Sequence, residues 1–133
     1  MLKEEIIDAL PYRIRLVYHI LWLQTTVMND GLLSVFYNHS IFETKQFIAI
    51  VKSAGITDLS DLVEKALRVI LSKFPLPRED SHTFMQDADP GAQPYDFFGE
   101  DIGNAIEEIG EEVDNLFGSE EFWNRVEMAW DSC

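Results

Sequence analysis

Apolar residues recur at intervals of three and four along this chain, and no stretch alternates apolar and polar residues as a β-strand would. The clearest stretch is residues 59–74, with apolar positions Leu59, Leu62, Val63, Ala66, Leu67, Ile70 and Phe74. The pattern predicts an all-α protein. A chain of 133 residues can bury roughly two-thirds of its unfolded surface in one core. We therefore predict a single helical domain over residues 1–133.

Break and cap signals divide this domain into a bundle of about six helices. The predicted helices cover residues 3–28 with an interruption at Pro11, then 32–38, 40–55, 58–74, 97–117 and 120–131. Ser40 and Glu43 have capping-box spacing, and Asp96 and Ser119 are the predicted caps of the last two helices. Residues 75–96 hold four of the five prolines and no periodic pattern, so a long loop is predicted there. Residues 97–133 then form an acidic helical hairpin.

Charge is divided unevenly between the two parts of the chain. Residues 1–78 contain eight acids and nine bases, a net charge of +1, whereas residues 79–133 contain sixteen acids and only Arg125 as a base, a net charge of −15. Their sum is the −14 of the whole chain. Such a charge repels nucleic acid and anionic membrane surfaces, which excludes both as direct partners and leaves basic proteins as candidates.

All seven acids in residues 97–117 fall on the side of the predicted helix opposite its apolar stripe. These seven carboxylates are Glu100, Asp101, Glu107, Glu108, Glu111, Glu112 and Asp114. They span roughly 22 Å of helix, or one charge per about 3 Å, and a DNA strand carries one phosphate per roughly 3.4 Å. We predict that they bind a basic partner. The alternative is a solvated face that only maintains solubility.

Three glycines follow one border of the apolar stripe of this helix. Gly99, Gly103 and Gly110 each lower helix propensity by about 1 kcal/mol relative to alanine, so their alignment predicts a closely approaching neighbour. That neighbour lies either within the chain or across the two-fold axis of a homodimer.

No arrangement of residues typical of catalysis or metal binding stands out. The chain has no nucleophile elbow, phosphate-binding glycine loop or Cys-x-x-Cys motif, and His19, His39 and His82 lack ligand spacing. We therefore expect no catalytic residues, no metal and no cofactor. The lone Cys133, the acidic N-terminus and the lack of a bilayer-length apolar stretch predict a cytoplasmic protein.

Residues 29–38 resemble the signature of a family of small bacterial helical domains, which is largely of unknown function and named for a DNA-mimic member. The family pattern is Asn-Gly-Gly-Phe, then Gln and aromatic residues, then Asn, after a long first helix. Asn29, Gly31, Phe36 and Asn38 match it, while Asp30, Leu32 and Ser34 depart from it. The resemblance covers residues 12–75 and implies an all-helical fold and a non-enzymatic role.

The signature itself predicts a structural motif. We expect Gly31 to adopt a conformation that other residues resist and Phe36 to pack inward with its apolar neighbours. We expect the side chains of Asn29 and Asn38 to hydrogen-bond exposed backbone ends.

Three functions remain open at this point. The leading hypothesis is a non-enzymatic acidic protein that mimics DNA and occupies the basic site of a DNA- or RNA-binding protein. An immunity-type inhibitor of a basic toxin or nuclease is the first alternative. A small metal-binding or hydrolytic protein, with residues 75–96 as a lid, is the second.

Overall fold

A computed structural model describes Ile6, residues 9–75 and residues 80–132, and within these residues the protein is all-helical, as predicted. It has eight helices there: α1 (Tyr12–Asp30), α2 (Leu32–Asn38), α3 (Ile41–Ser53), α4 (Thr57–Leu71), α5 (Phe84–Asp87), α6 (Pro94–Phe98), α7 (Glu100–Phe117) and α8 (Glu120–Asp131). The prediction of about six helices was too low, because two short helices lie in the proline-rich segment. Cys133 and most of the predicted helix before Pro11 lie outside the described residues.

The N-terminal half follows its local signals closely. Helix α1 begins directly after Pro11, where proline removes a backbone donor and fixes φ. The predicted capping box opens α3, since the Glu43 backbone N–H donates to Ser40 Oγ at 3.1 Å and Glu43 reaches back to Ser40. Helix α4 ends at Leu71, three residues before the predicted end.

The core forms where α7 packs against α4, α2 and α1, and α4 packs in turn against α3. From α7 the buried side chains are Ile102, Ile106, Ile109, Val113 and Phe117. From α4 they are Leu59, Ser60, Val63, Ala66, Leu67 and Ile70. Each set recurs every three or four residues, so one stripe of each helix is buried and the opposite side of α7 is left to its acids.

The proline-rich segment is held to the core by aromatic rings, so the predicted long loop is only roughly right: it contains the two short helices α5 and α6. Phe84 of α5 packs edge-on against Phe74 and Phe98, with ring centroids 5.4 and 5.3 Å away. The Tyr37 hydroxyl also donates to the backbone carbonyl of Ala92 at 3.1 Å. Offset and edge-to-face aromatic pairs stabilise a structure beyond the area they bury, which explains how α5 and α6 are positioned.

The first helix of the acidic hairpin starts later than predicted. Asp96 does not cap it but lies in α6, where its Oδ2 accepts from the Gln93 backbone N–H at 3.0 Å. Gly99, with φ 91° and ψ 155°, separates α6 from α7, and the long helix begins at Glu100. Only glycine adopts this backbone region readily, so a single residue turns the chain between two helices.

Helix α8 closes the hairpin and packs its apolar stripe on the core. Its predicted cap is confirmed, since the Phe122 backbone N–H donates to Ser119 Oγ at 3.4 Å. Phe122, Val126 and Ala129 are buried. Trp123 anchors the turn, because its indole N–H donates to the Phe117 carbonyl at 2.8 Å. Among the described helices, none combines the length and the apolarity needed to cross a bilayer.

Candidate functional site

Six of the seven predicted carboxylates lie exposed along α7, and we call these six the acidic ridge. The acidic ridge consists of Glu100, Asp101, Glu108, Glu111, Glu112 and Asp114. Glu100 and Asp101 have a local reason to be acidic, because negative charge in the first turn interacts favourably with the helix dipole. The other four lie beyond the first turn and gain nothing from the dipole.

The seventh carboxylate, Glu107, is half-buried and contacts the protein itself. Its Oε1 accepts from the Leu33 backbone N–H at 2.9 Å. This N–H lies at the start of α2, where backbone donors lack a partner within the helix and a negative charge is favourable. Glu107 therefore caps a helix that is distant in sequence.

The family signature meets α7 at this same contact. Gly31 has φ 87° and ψ 163°, and a Cβ there would lie 2.9 Å from Glu107 Oε2. The predicted special conformation of Gly31 is thus confirmed, and the carboxylate adds a second reason for glycine. Leu32, Val35 and Phe36 are buried as predicted.

The expectation for the two asparagines was wrong. Asn29 and Asn38 are exposed, and neither side chain makes a hydrogen bond to the backbone within the described residues. The start of α2 is capped by Glu107 instead, and its end by the His39 backbone N–H, which donates to the Val35 carbonyl at 3.1 Å.

Two of the three aligned glycines accept neighbours from within the chain. A Cβ at Gly103 would lie 2.4 Å from the Tyr95 ring, and one at Gly110 would lie 3.2 Å from Leu32 Cβ. Gly99 instead forms the turn before α7, and no described atom beyond its chain neighbours lies within 4 Å of the position that a Cβ would occupy there. The close approach predicted from these glycines is therefore intramolecular at Gly103 and Gly110.

The acidic ridge has no counter-charge of its own. No ridge carboxylate forms an ion pair with any residue that the structure describes. Arg125, the one base in residues 79–133, instead pairs with Asp58 of α4. Partial burial tends to raise the pKa of Asp58, but hydrogen bonds from Arg125 and from the Leu59 backbone outweigh it, so the pKa lies below its usual value.

A cavity of about 450 Å³ lies beside the acidic ridge, where α1, α2, α6 and α7 meet. Asp30, Glu107 and Tyr95 are among the residues that line it. Desolvation raises the pKa of the Tyr95 hydroxyl, and the charges of Glu107 and Glu100 raise it further. Asp30 and Glu107 make the lining of this cavity acidic. Sequence reasoning noted Asp30 only as a departure from the family signature, and no local signal placed it in one cavity with Glu107.

The family model of the DMP19-like protein matches residues 8–129. The chain belongs to the DMP19-like family. This confirms the resemblance drawn from Asn29, Gly31, Phe36 and Asn38. It also extends that resemblance, because the match continues through the acidic ridge and into α8, beyond the region that the signature covers.

Outside the DMP19-like family model, no curated protein and no solved structure matches this chain.

The histidines take part in local contacts. The His39 side chain hydrogen-bonds Glu43 and so lowers the pKa of that carboxyl group, while His82 Nε2 lies 2.7 Å from Asp87 Oδ2. The His19 ring meets Phe47 with centroids 6.2 Å apart. Among the residues that the structure covers, no group of three or more His, Cys, Asp or Glu side chains is placed to hold a metal.

Proposed function

We propose that this DMP19-like protein is a non-enzymatic interaction protein whose acidic ridge occupies the DNA-binding surface of a basic protein. One observation carries the proposal: six exposed carboxylates follow a single helix, and no described residue forms an ion pair with any of them. A surface that served solubility alone would be expected to mix bases with its acids. Such bases keep the surface soluble and relieve the repulsion between neighbouring acids.

The spacing of these charges supports mimicry of a nucleic-acid strand. From Glu100 to Asp114 the six carboxylates span about 21 Å of helix axis, a mean spacing of about 4 Å between successive charges. Phosphates follow each other every 3.4 Å or so along one DNA strand. A partner protein whose groove of lysines and arginines binds DNA phosphates would therefore meet a similar charge density on α7. Its binding to α7 would release counterions, as its binding to DNA does.

The placement of α7 supports a preformed surface. Its buried stripe packs on α4, and Glu107 fastens it to α2. A helix held on two sides presents its charges without first having to be ordered, so binding loses little conformational entropy.

The test has two stages, the first of which identifies the partner. The tagged protein captures partners from a lysate of its own organism, with parallel washes at about 50 and 500 mM salt, since counterion-driven contacts weaken steeply between these concentrations. We expect a basic DNA-binding protein that is retained at low salt and displaced by added duplex DNA.

The second stage measures the affinity of the purified pair with two charge-matched variants. The ridge variant carries Glu108→Lys, Glu111→Lys and Glu112→Lys; the control carries Asp61→Lys, Asp80→Lys and Asp89→Lys at exposed positions outside the ridge. Each changes the formal net charge from −14 to −8, as three charges of −1 become +1. We expect the ridge variant to lose binding and the control to retain it. Equal losses would show that net charge, and not the ridge, governs binding.

A partner that survives the high-salt wash would support the immunity-type inhibitor instead. Such binding depends on buried anchors more than on exposed charge. Tyr95, which is 40 % exposed beside the acidic cavity, is the residue of this surface best suited to be such an anchor.

A further inference from the structure

A groove of about 300 Å³ lies between α1 and α3, on elements that contribute nothing to the acidic ridge. Tyr12, Arg15 and His19 line it from α1, and Gln46, Ile50 and Ser53 line it from α3. Both sets follow a spacing of three and four residues, so each is one helix face. The volume is at the lower end of the range for small-molecule sites.

The polar groups of this groove divide into two kinds. Tyr12 Oη and Ser53 Oγ lie 2.6 Å apart, so one of them donates to the other, and the Ile50 carbonyl lies 3.3 and 2.8 Å from them as a shared acceptor. Arg15 and Gln46 differ, because their side chains form no hydrogen bond to any described residue. Hydrogen bonds therefore fix the Tyr12 and Ser53 side of the groove. The Arg15 guanidinium and the Gln46 amide are the groups that can bind a ligand.

Arg15 brings a permanent positive charge to the lining of this groove. Its Nε is buried and has no hydrogen-bond partner within the described part of the chain, although buried donors in proteins nearly always have one. The guanidinium carbon lies 5.9 Å from the centre of the Tyr12 ring, which holds the cation over an aromatic face. Guanidinium groups favour carboxylate and phosphate oxygens, which they bind with paired N–H donors.

The charge around the groove favours one negative charge over two. Helix α1 carries no acid between Tyr12 and Asn29, and the one acid of α3, Glu43, is engaged by Ser40 and His39. A single guanidinium suits a carboxylate, whereas phosphate dianions are typically held by several cations or by helix N-termini. The overall charge of −14 also repels a dianion more strongly than a monoanion.

We propose that this groove binds a small organic monocarboxylate, with its carboxylate on Arg15 and Gln46 and its apolar body against Tyr12 and Ile50. The inference is independent of the proposed function, because the groove and the acidic ridge share no residue.

Binding is tested by titrating the full chain with sodium benzoate and following backbone amide signals by NMR at constant ionic strength. Benzoate combines the expected charge with a flat apolar body. We expect saturable shifts confined to residues 12–19 and 46–53. Benzamide, which lacks the charge, and inorganic phosphate should each bind at least tenfold more weakly.

The Arg15→Gln variant should bind benzoate at least tenfold more weakly than the wild type. The matched control is Arg68→Gln, which removes the same charge from an exposed side chain of α4 and should leave binding unchanged. If Arg15→Gln does not fold, Gln46→Glu provides the same test by placing a like charge against the carboxylate.

Four results would each overturn the proposal. They are the absence of saturable shifts at the groove, equal binding of benzamide and benzoate, tighter binding of phosphate at the same amides, and unaltered benzoate binding by a folded Arg15→Gln or Gln46→Glu variant.

Discussion

Single residues make two of the helix junctions in this protein. Gly31 joins α1 to α2 and Gly99 joins α6 to α7, with φ and ψ of 87° and 163° at the first and 91° and 155° at the second. This region of backbone space is open essentially to glycine alone. At Gly31 the Glu107 carboxylate also lies where a side chain would begin, so two separate constraints act on one position.

Replacing this glycine should destabilise the fold. We expect Gly31→Ala to lower the free energy of unfolding by about 1–3 kcal/mol, because alanine is strained in this conformation. Urea denaturation measures the change. Gly118→Ala is the control, since Gly118 has φ −85° and ordinary contacts, and it should be neutral or stabilise by up to about 1 kcal/mol. Equal effects at the two positions would contradict the argument.

Glu107 and Glu108 are neighbours with different tasks. Glu107→Ala should cost about 1–2 kcal/mol of stability, because it removes the cap of α2 and leaves the Leu33 N–H without its acceptor. Glu108→Ala, at an exposed position of the same helix, should stay within about 0.5 kcal/mol of the wild type. Thermal and urea unfolding of both variants compare them. A Glu108 variant that is the less stable of the two would refute the assignment.

At the scale of elements, the helices are connected by contacts between residues distant in sequence. Arg125 of α8 and Asp58 of α4 are 67 positions apart. Phe74, Phe84 and Phe98 join the end of α4 to α5 and α6. These contacts explain why the proline-rich segment and α8 pack on a core formed mainly by α4 and α7.

The Asp58–Arg125 pair should make stability depend on pH in the acid range. Since the folded pKa of Asp58 lies below its usual 3.8, the pair stabilises the fold above that pH, and this stabilisation is lost as pH falls through the folded pKa. Both side chains are about one-third exposed, so we expect no more than about 1 kcal/mol. Asp58→Asn should therefore be less stable than the wild type near pH 6 and equal to it near pH 2.

Urea denaturation at several pH values measures this difference. Asp61→Asn, at an exposed position on the same helix, is the control and should show a smaller dependence on pH. A constant gap between the wild type and Asp58→Asn from pH 6 to pH 2 would refute the role of the ion pair.

The aromatic cluster should determine whether residues 80–98 stay packed. Phe84 is 7 % exposed, and Phe84→Ala should cost about 3–5 kcal/mol of stability because it opens a cavity among the rings. Hydrogen exchange should rise first at backbone amides of α5 and α6. The exposed neighbour Met85 provides the control, Met85→Ala, which should leave stability and exchange nearly unchanged. Faster exchange spread evenly over the whole protein would argue against a local role.

At the scale of the whole molecule, the acidic ridge opposes the stability of the helix that carries it. Like charges three and four positions apart on a helix each cost a few tenths of a kcal/mol. The net charge of −14 adds repulsion over a longer range, which salt screens. A surface maintained against this repulsion fits a role in binding better than a role in folding.

Neutralising part of the ridge should therefore stabilise the protein. The combined change Glu108→Gln, Glu111→Gln and Glu112→Gln should raise the free energy of unfolding by about 0.5–1 kcal/mol at low salt. The gain should shrink near 500 mM salt, where the charges are screened. Urea denaturation at both salt concentrations tests this. A destabilised variant would show that these carboxylates have favourable interactions that outweigh their repulsion.

The sequence by itself determined the properties that depend on spacing and composition. The helical class, the caps at Ser40 and Ser119, the buried stripe of α7 and the charge division all follow from residues close together in the chain. Only the tertiary structure decided which carboxylates of α7 stay exposed and which contact the rest of the protein. A helical wheel places Glu107 as far from the apolar stripe as Glu108, yet α2 covers one and leaves the other exposed. The ring contacts of the proline-rich segment and the partner of Arg125 were likewise beyond local patterns, because each joins residues that only the folded chain brings together.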